Sequence, residues 1–270
     1  MTTPVEPPLR AMTHAGRRRP RTRRVAESLA DDLRSEILGG ELTEVPRLDV
    51  LLERFDVGPP AAREAMRILE TEGLITVRRG NQGGADVHLP QADQVAYSIA
   101  MVLQSTATPL GDVGAALREL EPLCAVMCAT RPDRAATIVP VLEALLVEQA
   151  EAIGDVARTL TIVDRFHGAI VDGCGNATLT LVVGALERVW AGHASAVYDR
   201  DDHEPSPRTW RDALRAHEKM VAQIKAGDVR VGDRARQHLE ATHAFMSSVD
   251  DARRVTAADT TRGHESKGRR

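Results

Sequence analysis

Three histidines and one aspartate in the second half of the chain stand where helical periodicity calls for apolar residues. Over residues 156–172, Leu160, Asp164, His167 and Val171 share one helical face, so a carboxylate and an imidazole point the same way as core residues. Further on, His217 lies between Leu214 and Val221 or Ile224, and His238 shares the stripe of Val231, Ala235, Thr242 and Phe245. Such groups are costly to bury unless they are partnered. A single inward histidine is most often a hydrogen-bonded core residue. Three converging with an aspartate are better explained as ligands of a divalent metal, with Asp164, His167, His217 and His238 as the set. Imidazole suits zinc, nickel, iron or copper, and a carboxylate extends the choice towards manganese. A metal-dependent enzyme is an alternative, since such a set can leave a water bound, although no HExxH or similar catalytic spacing occurs. A metal-free pocket for a larger apolar acid, such as an acyl thioester, is another.

A second chemistry lies in the first third. Arg63 and Arg67 fall one turn apart on a helical run whose core stripe is Ala62, Ala65, Met66 and Leu69. On an isolated helix such a pair is an ordinary solvated face. Here the run follows a tight turn and precedes a hairpin carrying Arg78, Arg79 and three glycines, so positive charge comes from two directions. The glycines let backbone N–H groups approach phosphates. Duplex DNA is the partner this arrangement fits.

The elements that must position these groups are legible from periodicity. Val25, Leu29, Leu33 and Ile37 recur every fourth residue, and Gly39-Gly40 stop that helix. Val50, Leu51, Leu52 and Phe55 suggest a second short helix. Pro59 and Pro60 open a third, since the first turn needs no intrahelical N–H partner. Gly73 caps it, and Leu74–Val77 with Ala85–Leu89 predict two strands of a wing. From Leu110 to Val249 the periodicity is helical throughout, and breaks at Pro132, Gly154, Gly173 to Asn176, Asp199 to Pro207 and Gly227-Asp228 give about six helices of an antiparallel bundle. The fold class is mainly α: an N-terminal winged helix-turn-helix and a C-terminal all-α bundle. The expected boundaries are a disordered basic arm over 1–22, the winged domain over 23–90, a linker or helix over 91–108, the bundle over 109–250 and a disordered tail over 251–270.

Charge is uneven. The chain carries a net −4, yet seven arginines precede Val25 against Glu6 alone, while the winged segment holds more acids than bases. Attraction to phosphates must therefore come from the arm and from where the folded arginines sit. Cys124 and Cys128 lie a turn apart in an apolar run and read with Cys174 as core thiols. No apolar run approaches the roughly 20 residues that cross a bilayer, and no signal-peptide core follows the basic start, which leaves the cytoplasm as the expected compartment and excludes a membrane partner.

The stretches "RRVAESLADDLRSEILGGEL" and "LLERFDVGPPAAREAMRILETEGLITVRRGNQGGADV" resemble the DNA-binding domain of GntR-type bacterial transcription regulators. Matched residue by residue, "REAMRILETEGLI" and "RRGNQGG" imply DNA contacts for Arg63, Arg79 and Gly80; Arg67 and Arg78 join them by position. Where the family has Ser or Thr followed by Arg at the start of the recognition helix, this chain has Gly58-Pro59. Its "ELTEVPRLDVLL" loop is also shorter than the family's, leaving Arg47 without a matched position. The pieces "LRELEPLCAVMCA", "DRFHGAIVDGCGNATLTLVVGALERVW" and "HEKMVAQIKAGDVRVGDRARQHL" resemble the ligand-binding domain of the FadR-type branch, the FCD domain. That resemblance implies a metal held by an Asp and three His beside an organic-acid effector, with His167 and His217 matching directly. Asp164 stands three residues before His167, where the family has four and this chain Val163, and one residue is lost between His217 and His238. It also implies effector contacts for Arg118 and Asn176. Arg118 can hold a carboxylate bidentately, with an ion pair to Glu121 as the alternative. The combined expectation is a homodimeric repressor that binds a partly palindromic double-stranded operator and responds to a small carboxylate, and is not an enzyme.

Overall fold

The computed structural model describes residues 21–78, 83–198, 206–249 and 253–260; the arm before them, the wing tip with Arg79 and Gly80, and residues 261–270 lie outside the described residues. Contacts divide the chain into two compact units that meet in sequence at Pro90 and Gln91.

In the first unit α1 (Arg21–Leu38) buries Leu29, Leu33 and Ile37, while Val25 at the head of the same stripe is exposed. After β1 (Glu44–Val45), α2 (Leu48–Phe55) buries Leu51 and leaves Val50, expected inward, half in solvent. In α3 (Pro59–Thr71) the prolines occupy the first two positions. The Ala61 and Ala62 N–H groups both donate to the Gly58 carbonyl, so the helix starts without a side-chain cap. Its stripe Ala62, Ala65, Met66 and Leu69 is buried against α1, and Arg34 of α1 clamps Glu72 at its end through two hydrogen bonds of 2.8 and 2.7 Å.

Gly73, at φ +76°, turns the chain out of α3 into β2 (Ile75–Val77), which pairs antiparallel with β3 (Ala85–Val87). The sheet has three strands in the order β1-β3-β2, with Val45 opposite Ala85. Gly84 at φ +78° permits this pairing, since a Cβ there would sit 2.5 Å from the Val45 carbonyl oxygen.

The second unit begins with α4 (Ala92–Ser105), so the segment expected as a linker or helix is a helix, and it buries Ala96 and Ala100 against the bundle. Six long helices follow: α5 (Leu110–Thr130), α7 (Val139–Ala152), α8 (Val156–Gly173), α9 (Ala177–Tyr198), α10 (Pro207–Ala226) and α11 (Val231–Val249), with the one-turn α6 (Arg134–Thr137) before α7. α5 runs through the middle, packed on α8, α9, α10 and α11, and one core joins them from Leu117 and Cys128 to Phe166, Val189 and Ile224. The three cysteines are unpaired and buried; Cys128 donates to the Ile170 carbonyl, and burial pushes its thiol up to about 12.

The tail expected to be disordered from 251 is ordered over residues 253–260, where Val255, Ala257 and Asp259 are buried. Composition alone pointed the other way because most of this segment is polar; its order comes from hydrogen bonds to distant elements.

Candidate functional site

In the first unit, α3 and the hairpin enclose an open depression lined by Arg47, Arg63, Arg67, Arg78, Gly83 and Gly84. Arg63 is exposed and forms no ion pair among the described residues. Arg67 is also exposed, but its guanidinium holds Glu64 through bonds of 2.9 and 2.6 Å. Arg78 is committed further: it donates to Asp86 and, at 2.6 Å, to Glu44, bridging β1 and β3 at the foot of the wing. The Arg78 guanidinium holds both carboxyls below their usual range. Arg78 therefore braces the sheet as well as lining the depression. Arg47 precedes α2, lies 3.5 Å from Asp49, and its side chain covers Gly83. The shorter loop thus still delivers a guanidinium to this face, which reading the letters left open. Arg79 and Gly80 fall outside the described residues.

In the second unit His167 from α8, His217 from α10 and His238 from α11 converge, with one donor atom of each within 4.8 Å of the others. Phe166 stacks on the His217 ring at 4.1 Å and closes one side. The Nε2 atoms of His217 and His238 are 3.0 Å apart. Nδ1 of His217 lies 2.8 Å from Oε1 of the fully buried Gln149 on α7, and Nδ1 of His167 lies 2.5 Å from Oε1 of Glu121 on α5, itself only 2% exposed. With Nδ1–H donating in both rings, each Nε2 keeps its lone pair. Imidazoles whose remote nitrogen is held by a carboxylate or amide oxygen are the usual form of metal-ligating histidines.

The electrostatics separate the two rings. Burial drives His217 well below its ordinary value, and its neighbours His238 and His167 push the same way. Burial acts likewise on His167, but the charge and hydrogen bond of Glu121 overcome it and raise that imidazole. Glu187 of α9 adds a third carboxyl to the neighbourhood. Its Oε1 is buried without a hydrogen-bond partner, and burial together with Glu121 and Asp164 holds it well above the usual carboxylate range.

Asp164 is not part of the convergence: it is exposed, and the clustered donors are the three imidazoles. At about 100° per residue, a position three before His167 lies about 60° to one side of it and a position four before lies about 40° to the other. The shift from Val163 to Asp164 leaves the carboxylate outside the set of clustered donors, as an electrostatic neighbour that raises His167 alongside Glu121. The carboxylate that is hydrogen-bonded to the histidines is Glu121, which the sequence offered only as an alternative partner of Arg118. Arg118 is half-buried on α5, three residues before it. Asn176 is exposed, and its Oδ1 accepts the Thr178 and Leu179 N–H groups at 3.1 Å and caps α9.

Glu121 and Gln149 carried a legible signal. Leu117, Glu121, Cys124 and Cys128 form one buried stripe of α5, and Leu142, Leu145, Gln149 and Ala152 one of α7. A polar residue on such a stripe asks for a partner, the same test that singled out the histidines.

Comparison with known proteins agrees with both halves. Residues 22–83 match the bacterial regulatory proteins of the gntR family, and residues 112–241 match the FCD domain. The chain is similar to the HTH-type transcriptional repressor NanR of Salmonella arizonae, 26% identical over 243 residues that cover 86% of this chain and 90% of that protein. It is equally similar to the NanR repressor of Salmonella typhimurium, 26% identical over 240 residues covering 86% and 89%. Among solved structures it shares its fold with a GntR protein of Streptococcus agalactiae at a TM-score of 0.64, with 23% identity over 82% of this chain and 99% of that one. The chain belongs to the GntR family of bacterial regulatory proteins, with an FCD domain as its second unit, and is a ligand-responsive, DNA-binding transcriptional regulator.

Proposed function

We propose that this regulator is a cytoplasmic homodimeric repressor whose helical unit holds a divalent metal at His167, His217 and His238 and a small organic acid beside it. The observation that carries the reading is the pair of outer hydrogen bonds, Glu121 to His167 and Gln149 to His217, which leave a lone pair on Nε2 of both rings in a buried site, that of His217 facing Nε2 of His238 at 3.0 Å. These donors suit zinc or nickel. When bound, the metal supplies a fixed positive charge that attracts a carboxylate, and Arg118 is the cation in this chain best placed by sequence to share that anion. The rest is done by the protein. Phe166 keeps water from one face of His217, Glu121 and Gln149 fix the ring orientations, and no general base stands among the clustered donors.

On DNA, Arg63 is the reading residue, since its guanidinium is exposed and uncommitted, with Arg67 and Arg47 beside it and Arg79 and Gly80 at the wing. A two-fold dimer presents two such faces to half-sites about one helical turn apart, or multiples of it. An effector that binds the DNA-incompetent arrangement more tightly weakens operator binding by the same factor. Repression is supported by the names of the relatives at 26% identity. No helix among the described residues is long and apolar enough to cross a membrane. The test is elemental analysis of the purified chain, followed by operator footprinting with and without added metal and candidate carboxylates. Zinc or nickel near one per chain, lost in His217→Ala, is expected, together with loss of the footprint in Arg63→Ala. A metal-free protein, or a full footprint with Arg63→Ala, overturns the corresponding half.

A further inference from the structure

The ordered segment 253–260 is attached to the fold at a particular place. Val255 N–H donates to the Thr108 carbonyl at 3.0 Å and Leu110 N–H donates to the Arg253 carbonyl at 2.9 Å, so the segment bridges the turn between α4 and α5 as a short antiparallel pair. Arg254 adds a guanidinium bond to the Ala107 carbonyl, at a non-glycine residue held at φ +50°. Ala257 N–H donates to Gln104 Oε1 at 2.8 Å, near the end of α4. On its other side, Thr256 N–H donates at 2.9 Å to Nε2 of His193, a fully buried residue of α9 whose Nδ1 is 2.7 Å from the Val189 carbonyl. Asp259 closes the segment on itself through Arg253 and Thr256, and its carbonyl sits against Gly192, where a Cβ would come within 2.3 Å.

Three elements therefore meet on this short piece: the far end of α4, the first residue of α5 and the C-terminal third of α9. α4 is the helix that continues directly from the DNA-binding unit, since that unit ends at Pro90 and α4 starts at Ala92. α5 carries Glu121, which holds His167, and α9 packs on the helix that bears His167. Only Val255 and Ala257 contribute buried apolar side chains, so the segment is held mainly by directional polar contacts. Pieces secured in this way open at lower cost than a packed core.

We propose that residues 253–260 are a clasp that seats the connecting helix α4 on the bundle, and that changes at the histidine site reach the DNA-binding unit through it. The clasp half stands on the contacts above; the transmission half rests on the metal reading under Proposed function. Two variants test it: a chain ending at residue 252, and Gly192→Ala, which keeps the tail and blocks its seat. Amide exchange of α4 is compared with that of α10, zinc content is measured, and affinity is determined with zinc or with chelator for a duplex selected from random sequence by the unmodified chain. The expected result is α4 exchange at least about tenfold faster in both variants, α10 exchange and zinc content unchanged, and a zinc-to-chelator affinity ratio reduced towards one. Unchanged α4 exchange in both variants overturns the clasp; faster exchange with an unchanged ratio overturns its role in transmission. An unmodified chain whose operator affinity ignores zinc strikes the metal reading and with it the transmission half, and α4 exchange then still decides the clasp.

Discussion

Replacing Glu121 is the most informative perturbation of the histidine site, because it separates a supporting carboxylate from a merely nearby one. Its Oε1 lies 2.5 Å from His167 Nδ1 and the residue is 2% exposed, so neither water nor salt can substitute for it. Loss of such an outer partner typically costs about 10- to 100-fold in metal affinity, about 1.4 to 2.7 kcal/mol. Glu121→Gln keeps an acceptor oxygen and removes the charge, and is expected near the lower end; Glu121→Ala removes both, and is expected near the upper end. Asp164→Asn alters an exposed side chain outside the clustered donors and is expected to change affinity by less than about threefold, the scale of a screened surface charge. The assay is competition for zinc against a chromophoric chelator as a function of pH. In the unmodified chain Glu121 raises the His167 pKa above its unfolded value. The protonated ring therefore stabilises the metal-free fold fully below the unfolded pKa, and that contribution is lost as pH rises through the folded one. Metal must displace this proton, so affinity climbs with pH, and in Glu121→Gln the climb should shift to lower pH. An affinity loss in Asp164→Asn larger than in Glu121→Gln would refute the assignment of the supporting carboxylate.

Three further outcomes follow from the same geometry. Arg63→Ala should weaken operator binding by roughly tenfold or more, and by more than Arg78→Ala, whose guanidinium is already engaged by Glu44 and Asp86; fluorescence anisotropy on one duplex ranks them. Gly84→Ala forces a φ of +78° on a side chain that meets the Val45 carbonyl at 2.5 Å, so the first unit should lose about 2 kcal/mol or more in urea unfolding. Metal-free protein should lose stability as pH falls from about 7 towards 5. Burial lowers the folded pKa of both His193 and His217, against the single opposite shift of His167, so the unfolded chain takes up more protons first and the stabilisation present above the unfolded pKa disappears. A His193→Gln variant whose stability falls as steeply as that of the parent would remove His193 from this account.

The order of elements was legible because each helix announces itself by its own stripe: Leu29, Leu33 and Ile37 on α1, Ala62, Ala65 and Leu69 on α3, Met220, Val221 and Ile224 on α10. What escaped depends on distant pairing. β1 is two residues long, too short to alternate, and exists because β3 lies beside it. Val25 and Val50 carry the right type for their stripes, yet both are exposed among the described residues. Residues 253–260 read as a polar tail because their bonds go to Gln104, Thr108 and His193, far away in sequence.

The histidine site shows where one-dimensional reasoning stops. Periodicity names which residues of a helix face inward, and it named His167, His217 and His238. It resolves direction only to about a quarter turn, because one residue advances the helix by about 100°. Asp164 fell inside that margin and Glu121 was passed over, although Glu121 lies squarely on the stripe of Leu117, Cys124 and Cys128. The structure makes this asymmetry consequential. A carboxylate on α8 itself would move with His167, whereas Glu121 reaches across from α5, the helix whose first residue is bonded to segment 253–260. The ring that most needs a negative partner is thus oriented from the element that also meets the end of α4. Any displacement of α5 relative to α8 alters the donor direction of His167 and the seat of the connecting helix together, and that shared dependence is the route the proposed clasp would use.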